Sequence, residues 1–306
     1  MKCRKCGQTA SLNMPQHRLA LCREHYLEWF RSHTQKTIEK YHLLKADEQV
    51  LVAVSGGKDS LALWDVLNRL GYQTAGLYIN LGINQPFAYS HQSLDYTRTF
   101  AEHNQLTLHV YDVKSEIGQD ITQLVARNQR GTDRPCSVCG AIKRHVFNTF
   151  TRDHGYEIIA TGHNLDDEVA VLLSNNLNWN LEQLSRQSPL LPQKPGFARK
   201  IKPFCRFYER ETAAYAILSG IEYVEEECPF AVGSKTNYLK TWINQLEKEQ
   251  PGIKLSYYTH FLQQKKAGFL LEVESLPVDL HPCQQCGEMT AADGKCSFCK
   301  LVEPVS

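Results

Sequence analysis

The sequence predicts an α/β domain: a parallel β-sheet covered by helices on both faces, with a small zinc-binding module at each end. Three observations lead there. Short apolar, β-branched runs alternate with stretches of helical periodicity between residues 49 and 162. One junction between such a run and a helical stretch reads Ser55-Gly56-Gly57-Lys58-Asp59-Ser60. Paired CxxC and CxxH spacings stand near both ends of the 306-residue chain, in segments too short to bury a core of their own.

In chain order, the first module holds Cys3-x2-Cys6 and Cys22-x2-His25, two short pairs fifteen residues apart that offer four ligands to one tetrahedral zinc. Gly7 follows the first pair, where a tight turn points backbone amides at sulfur. QVLVAV (49–54) is the first strand of the main domain and ends at the glycine-rich turn. LALWDVLNRL (61–70) repeats apolar residues at helical spacing and stops at Gly71. TAGLYIN (74–80) reads as the next strand, the polar stretch 88–104 as a helix, and LTLHVY (106–111) and EIIATG (157–162) as further strands. This alternation predicts a Rossmann-like sheet with its ligand site at the carboxyl ends of the strands. SPLLPQKPG (188–196), with three prolines and a glycine, is expected as a mobile loop. From residue 205 the pattern turns helical, through ERETAAYAILSG (209–220) and the polar stretch 234–265. The last module is Cys283-x2-Cys286 and Cys296-x2-Cys299, with Gly287 and Gly294 beside the pairs. Neither ligand set leaves an open position, so both zincs are expected to be structural.

Composition narrows the function classes. No run of about 18 apolar residues occurs, which excludes a transmembrane helix. The polar start MKCRKCGQTA has no signal-peptide core, so a cytoplasmic protein is expected. Net charge is +1, yet residues 1–45 hold nine Lys and Arg against three Glu, and residues 186–210 hold seven against one. Two basic stretches in a near-neutral chain suit a polyanion docked at chosen places. Of eleven cysteines, ten fall into three sets and Cys205 stands alone. CxxC pairs in a chain without a secretory signal favour metal over disulfides. The chain is rich in Gln, Asn and His and only moderately charged, unlike the proteins of hyperthermophiles.

Three motifs carry chemistry. In Ser55–Ser60 the glycines let backbone approach phosphate, helix-start amides point at it, and Ser55, Lys58 and Ser60 add donors and charge. Thr161-Gly162-His163-Asn164-Leu165-Asp166-Asp167-Glu168 also ends a strand and opens a helix. Its carboxylates could hold Mg²⁺ beside a triphosphate, or serve the helix dipole alone. Third, Pro135-Cys136-Ser137-Val138-Cys139-Gly140 pairs with a remote Cys228 in Glu225-Glu226-Glu227-Cys228-Pro229. Three such thiolates could ligate three irons of a 4Fe-4S cluster, hold a third zinc, or form a persulfide and its resolving thiol.

SGGKDS in this strand–turn–helix context resembles the PP-loop of ATP pyrophosphatases, enzymes that cleave ATP between its α and β phosphates and adenylate a carbonyl oxygen. The order finger, SGGKDS, PCxxCG, GHNLDDE, ECP, finger is similar, over almost the whole chain, to tRNA 2-thiolation enzymes of the TtuA/TtcA type, particularly the branch with two zinc fingers. The resemblance implies a PP-loop (adenine nucleotide alpha hydrolase-like) fold and an enzyme that adenylates a tRNA uridine C2 carbonyl with ATP and replaces its oxygen with sulfur. It implies Cys136, Cys139 and Cys228 as 4Fe-4S ligands, with Asp167, Lys143, Cys136 and Cys228 as catalytic groups. It further implies ATP contacts from Ala53, Ser55, Gly56, Gly57, Lys58, Asp59, Ser60, Ile79, Lys143, Gly162 and Asp167. Arg199, Lys200 and Lys202 resemble the family's basic element and are expected to contact tRNA. Asn80 in YINLGI departs from the Asp expected in relatives. The implied cofactors are ATP, Mg²⁺, a 4Fe-4S cluster and two Zn²⁺. The implied partners are tRNA and a sulfur donor, either a ubiquitin-like sulfur carrier protein or sulfide derived from a cysteine desulfurase; a homodimer is compatible. The expected boundaries are 1–30 for the N-terminal finger, 31–230 for the ATP-binding domain, 231–275 for a helical segment and 276–306 for the C-terminal ribbon. Two rivals share parts of this pattern. A nitrogen-transferring PP-loop enzyme gives the three cysteines no task, and a non-catalytic zinc-ribbon RNA-binding protein gives none to SGGKDS. The nucleotide position, 54, 34 or another, stays open.

Overall fold

The computed structural model describes residues 1–127, 135–231, 235–274 and 279–303. A hairpin of β1 (Leu12–Met14) and β2 (Leu19–Leu21) leads into α1 (Arg23–Lys40). The main domain follows as β3 (Gln49–Val54), α2 (Lys58–Arg69), β4 (Gln73–Asn80), α3 (Tyr89–His103), β5 (Thr107–Asp112), α4 (Val113–Ile117), α5 (Ile121–Arg127), α6 (Pro135–Asp153) and β6 (Ile158–Thr161). Then come α7 (Leu165–Leu177), α8 (Leu181–Arg186), β7 (Leu190–Leu191), β8 (Arg199–Ile201), α9 (Glu209–Ser219), α10 (Lys235–Glu249), α11 (Ile253–Lys266) and α12 (Leu271–Glu274). The ribbon holds β9 (His281–Pro282), β10 (Met289–Thr290) and α13 (Ser297–Val302).

Six strands form the central sheet in the order β5-β4-β3-β6-β8-β7, all neighbours parallel except β7 and β8. The chain steps outward from β3 through β4 to β5, then returns to β6 on the other flank of β3. That reversal makes β3 and β6 the topological switch point, and the crevice beyond their carboxyl ends is where such sheets bind ligands. Both motif loops open there, 55–57 after β3 and 162–164 after β6.

Strand alternation sorts the core into two faces. Val50, Val52, Val54 and Tyr78 pack with Phe30, Trp64, Phe100 and Tyr215 from α1, α2, α3 and α9. Leu51, Ala75, Leu77 and Ile79 pack with Ile121, Val138, Ile142 and Phe298 from α5, α6 and α13. A third core joins Leu165, Val169 and Leu172 of α7 to Leu184, Ile243 and Tyr258. Gly76 shows how tightly the first face is filled: a Cβ there would lie 2.5 Å from the Trp64 ring.

Two expectations need correction. SPLLPQKPG is not an open loop: Leu190 and Leu191 pair with Ile201 and Lys200, and Gly196, at φ +79°, turns the hairpin. Arg199-Lys200-Ile201 is therefore a strand, held to β6 by parallel pairing despite its charge. Nor is there a joint at residue 30, because α1 runs unbroken across it. The expected ribbon start at 276 and the helical start at 234 lie outside the described residues. Among the described residues no helix is long and apolar enough to cross a membrane.

Candidate active site: a phosphate loop beside three cysteines

The 55–60 turn is built by its own hydroxyls. Ser55 N–H donates to Ser60 Oγ at 3.0 Å, Ser60 Oγ donates to the Gly57 carbonyl at 3.0 Å, and the two serine hydroxyls lie 3.2 Å apart. Gly56 sits at φ +75° with its Cα pressed on α3; a Cβ would stand 2.3 Å from the Ser93 carbonyl oxygen. Gly57 is the N-cap of α2, so the first amides of that helix open toward the crevice. Lys58 Nζ reaches Glu209 Oε1 at 2.9 Å and Asp59 Oδ2 at 3.2 Å. Asp59 accepts from Asn164 Nδ2 at 3.3 Å and from the Thr212 hydroxyl. Burial raises the Asp59 pKa, against the pull of Lys58.

The second motif closes on the first. A Cβ on Gly162 would stand 2.9 Å from the Asp59 carbonyl carbon and oxygen and 3.0 Å from the Ser60 nitrogen. Asn164 and Asp167 form a capping box at the start of α7. The three carboxylates then part company. Asp166 is buried and accepts from Lys254 Nζ at 2.6 Å and the Glu209 amide at 2.9 Å. Glu168 is buried against Lys202 Nζ at 2.7 Å and the Tyr258 hydroxyl at 3.1 Å. Only Asp167 faces the crevice, with Oδ1 2.6 Å from Lys240 Nζ. Lys240 also meets Glu209 Oε2 at 3.1 Å. His163 is solvent-exposed beside these groups, and its Nδ1 is 2.8 Å from Thr161 Oγ1. Desolvation by the protein around it pulls the imidazole pKa down, partly offset by Asp167.

The three cysteines gather at the rim of the same crevice. Cys136 and Cys139 stand in the first two turns of α6. Cys228 precedes a 3₁₀ turn at 229–231, and Cys136 Sγ contacts the Phe230 carbonyl at 3.4 Å. Burial raises the pKa of Cys136 and Cys228, the neighbouring sulfurs add to it, and Lys143 one turn along α6 opposes both. Tyr89 completes the group: burial and then Cys228 push its hydroxyl up to about 12. The link to the phosphate loop is direct, since Val224 N–H donates to the Gly56 carbonyl at 2.9 Å, four residues before Cys228. Ala53 and Ile79 lie at the carboxyl ends of β3 and β4 on the α6 face of the sheet.

This geometry can be set beside known proteins. The N-terminal LIM domain of 2-thiouridine synthetase TtuA matches residues 2–27, and the PP-loop domain matches residues 28–246. A tRNA-5-methyluridine(54) 2-sulfurtransferase of Thermus thermophilus is 46% identical, covering 100% of this chain and 92% of its own. The chain belongs to the tRNA 2-sulfurtransferase branch of the PP-loop family. The enzyme of the same name from Pyrococcus horikoshii is 41% identical over 98% of this chain and 93% of its own. Among solved structures, the U34-tRNA thiolase NcsA from Methanococcus maripaludis with its 4Fe-4S cluster shares a TM-score of 0.81 at 25% identity, covering 98% of this chain and 95% of that one.

Outside the PP-loop crevice, both terminal cysteine sets assemble as expected. Cys3, Cys6, Cys22 and His25 bring ligand atoms within 4.8 Å of one another, as do Cys283, Cys286, Cys296 and Cys299. Cys6 Sγ and Cys22 Sγ are 3.8 Å apart, and Cys286 Sγ and Cys296 Sγ 3.7 Å, close to the edge of about 3.8 Å in a zinc–thiolate tetrahedron. Cys136, Cys139 and Cys228 are not among the sets meeting that 4.8 Å limit. One zinc needs its ligands in mutual contact, whereas a four-iron cluster holds its thiolates further apart.

The three residues of the basic element have partners within the chain. Arg199 pairs with Glu48, Lys202 with buried Glu168, and Lys200 is enclosed so that burial lowers its pKa. Asn80 has a structural task, donating to Asp112 Oδ2 at 2.7 Å and accepting from Gly82 N–H at 3.1 Å. Sequence reasoning missed Glu209, Thr212 and Lys240 in the PP-loop site. No motif marks them, because they arrive on helices 151 residues and more from Lys58.

Proposed function

We propose that this chain activates the C2 carbonyl of a tRNA uridine with ATP and exchanges its oxygen for sulfur. The observation that carries this reading is the shared crevice, in which the 55–60 loop and the Cys136–Cys139–Cys228 rim are tied together by the Val224–Gly56 hydrogen bond. The amides at the start of α2 and the Lys58 ammonium bind and orient the phosphates. The uridine O2 bonds to the α-phosphorus as the α–β bridge breaks and pyrophosphate leaves; AMP later departs with that oxygen as sulfide bonds to C2. Asp167, held by the Asn164 box, positions the Lys240 ammonium beside the phosphate loop. Mg²⁺ enters with ATP, because the carboxylates at the loop already face ammonium groups, Asp59 on Lys58 and Asp167 on Lys240. Ala53 and Ile79 offer an apolar bed for the adenosine.

Cys136, Cys139 and Cys228 would hold a 4Fe-4S cluster, a fit supported by their wider spacing than either zinc set and by the cluster of the NcsA thiolase. When bound, it would supply an iron without a protein thiolate, a Lewis-acidic seat for sulfide. Lys143 keeps positive potential over Cys136 and Cys228, favouring their thiolates. Two structural zincs suit the terminal sets. Position 54 is the favoured target, since the three relatives at 46%, 41% and 38% identity bear that position in their names. The sulfur donor is a carrier protein or sulfide from a desulfurase. The cytoplasm is the favoured compartment, as for the cytoplasmic tRNA 2-thiolation protein 1 of Drosophila sechellia, 28% identical.

The test is oxygen-free reconstitution followed by single substitutions. About four irons per chain, air-sensitive visible absorption and tRNA thiolation are expected, all lost in Cys136→Ala, Cys139→Ala and Cys228→Ala and kept in Cys205→Ala. Multiple-turnover thiolation by iron-free protein, with Cys136 and Cys228 cycling through a disulfide, would replace the cluster by a persulfide route. Mass spectrometry of thiolated tRNA fragments locates the nucleotide.

A further inference from the structure

The phosphate loop faces a line of alternating charge. Lys58 Nζ lies 2.9 Å from Glu209 Oε1, Glu209 Oε2 3.1 Å from Lys240 Nζ, and Lys240 Nζ 2.6 Å from Asp167 Oδ1. The Glu209 carboxylate thus bridges two ammonium groups, one oxygen to each. A phosphoryl group between two lysines would present its oxygens in the same way. Glu209 itself is fixed from behind, its amide donating to Asp166 and its side chain starting α9.

On the reading that this crevice binds ATP, we infer that Lys240 is a second phosphate-binding cation of the site, and that Glu209 occupies its place until nucleotide arrives. Two features favour a ligand role over a merely structural pair. Both lysine side chains are mostly covered, at 24% and 18% exposure, yet they end at the open crevice and not in an apolar core. Lys240 comes from outside the α/β sheet, on α10, so it is delivered to the loop by the third core.

The chain between Glu209 and Lys240 touches the loop at two points, Thr212 on Asp59 and Val224 on Gly56, and it also carries Cys228.

Because Lys240 shares Glu209 with Lys58, the group it meets is the phosphate end of the nucleotide, and inorganic pyrophosphate is the simplest probe. Calorimetric titration of pyrophosphate and ATP into Lys240→Ala should show binding weakened roughly tenfold to a hundredfold, as for loss of one charge-assisted contact. Lys240→Arg should recover most of it, and AMP binding should hardly change in either. Glu209→Gln, which removes the competing anion at constant shape, should bind pyrophosphate at least about threefold more tightly. A brace would differ in the second variant, losing affinity in Glu209→Gln as well as in Lys240→Ala. Zinc content and melting temperature confirm that each variant is folded. Unchanged pyrophosphate affinity in Lys240→Ala, or weaker binding in Glu209→Gln, overturns the inference. If that happens while Lys58→Ala abolishes binding, the nucleotide site stands; if Lys58→Ala also binds normally, the ATP-site reading falls with it.

Discussion

Gly162→Ala is the sharpest single perturbation, because it adds one methyl group between the two motif loops. The new carbon would sit 2.9 Å from the carbonyl of Asp59 and 3.0 Å from the amide nitrogen of Ser60. Carbon contacts are comfortable near 3.5–4.0 Å, so the loops must part by about 0.5–1 Å. The atoms in the way are backbone, pinned by the serine hydrogen bonds and by the start of α2, and no rotamer change relieves them. Overpacking of this kind costs about 1–3 kcal/mol. For a domain of this size, that is a fall in melting temperature of roughly 2–10 °C. The catalytic cost should be larger, since a displacement approaching 1 Å in a reacting site can lower rates by about 10²-fold. Gly57→Ala is the control: its added carbon meets only the Ser55 hydroxyl, at 3.6 Å, an ordinary contact. Thermal unfolding of both variants, with ATP-dependent AMP release, tests the argument. If Gly162→Ala melts and turns over like the parent, the two loops are not packed as described. Equal destabilisation by Gly57→Ala would show that the effect is not steric.

Three other outcomes are expected. Cys283→Ser should lower zinc by about one equivalent per chain and weaken tRNA binding or solubility, read by metal analysis and gel shift; a zinc-replete, fully active variant would remove the ribbon from the account. Glu288→Ala leaves His145 and Asn148, which contact Glu288 at 2.6 and 2.7 Å, without their carboxylate, and should cost about 1–3 kcal/mol by denaturant unfolding. Because those partners sit on α6, lower iron retention should accompany it. Burial holds the His33 pKa down to about 3, below an unfolded value of about 6.5, with Arg206 and His17 adding to the effect. The unfolded chain therefore binds the proton first. Stability should be flat above pH 6.5 and fall below it by up to about 1.4 kcal/mol per pH unit, a slope that His33→Phe should reduce while keeping the stack on Trp29.

The strands of the sheet were legible because burial on both faces demands compact apolar runs, and QVLVAV and EIIATG have little else to be. β8 was not, since Arg199-Lys200-Ile201 carries its charges into ion pairs and an enclosed pocket that only the fold supplies. The same limit governs the site. Asp166, Asp167 and Glu168 are equivalent as letters, but the helical turn sends only Asp167 to the loop and buries its neighbours against Lys254 and Lys202. Glu209 and Lys240 carry no local signature, because their role comes from packing α9 beside α2 and α10 beside α7. Charge density along the chain likewise does not say which basic residues are paired within the fold, as Arg199 and Lys202 are.

One consequence of the unbroken α1 concerns timing. Cys22 is the N-cap of this 18-residue helix, and Tyr26 and Phe30, one and two turns on, are fully buried. Their cover comes late: the Tyr26 hydroxyl donates to the carbonyl of Glu211, 185 residues downstream. At ordinary rates of synthesis, roughly 10–40 s separate the two on the ribosome. Throughout that interval the aromatic face of α1 has no helix to rest on, while the four ligands that fix its first turn are already made. Zinc capture by the nascent chain would give the helix a fixed start from which the rest of the domain is received. Metal starvation should then show itself in newly made protein, as aggregation during synthesis, well before it strips zinc from molecules already folded.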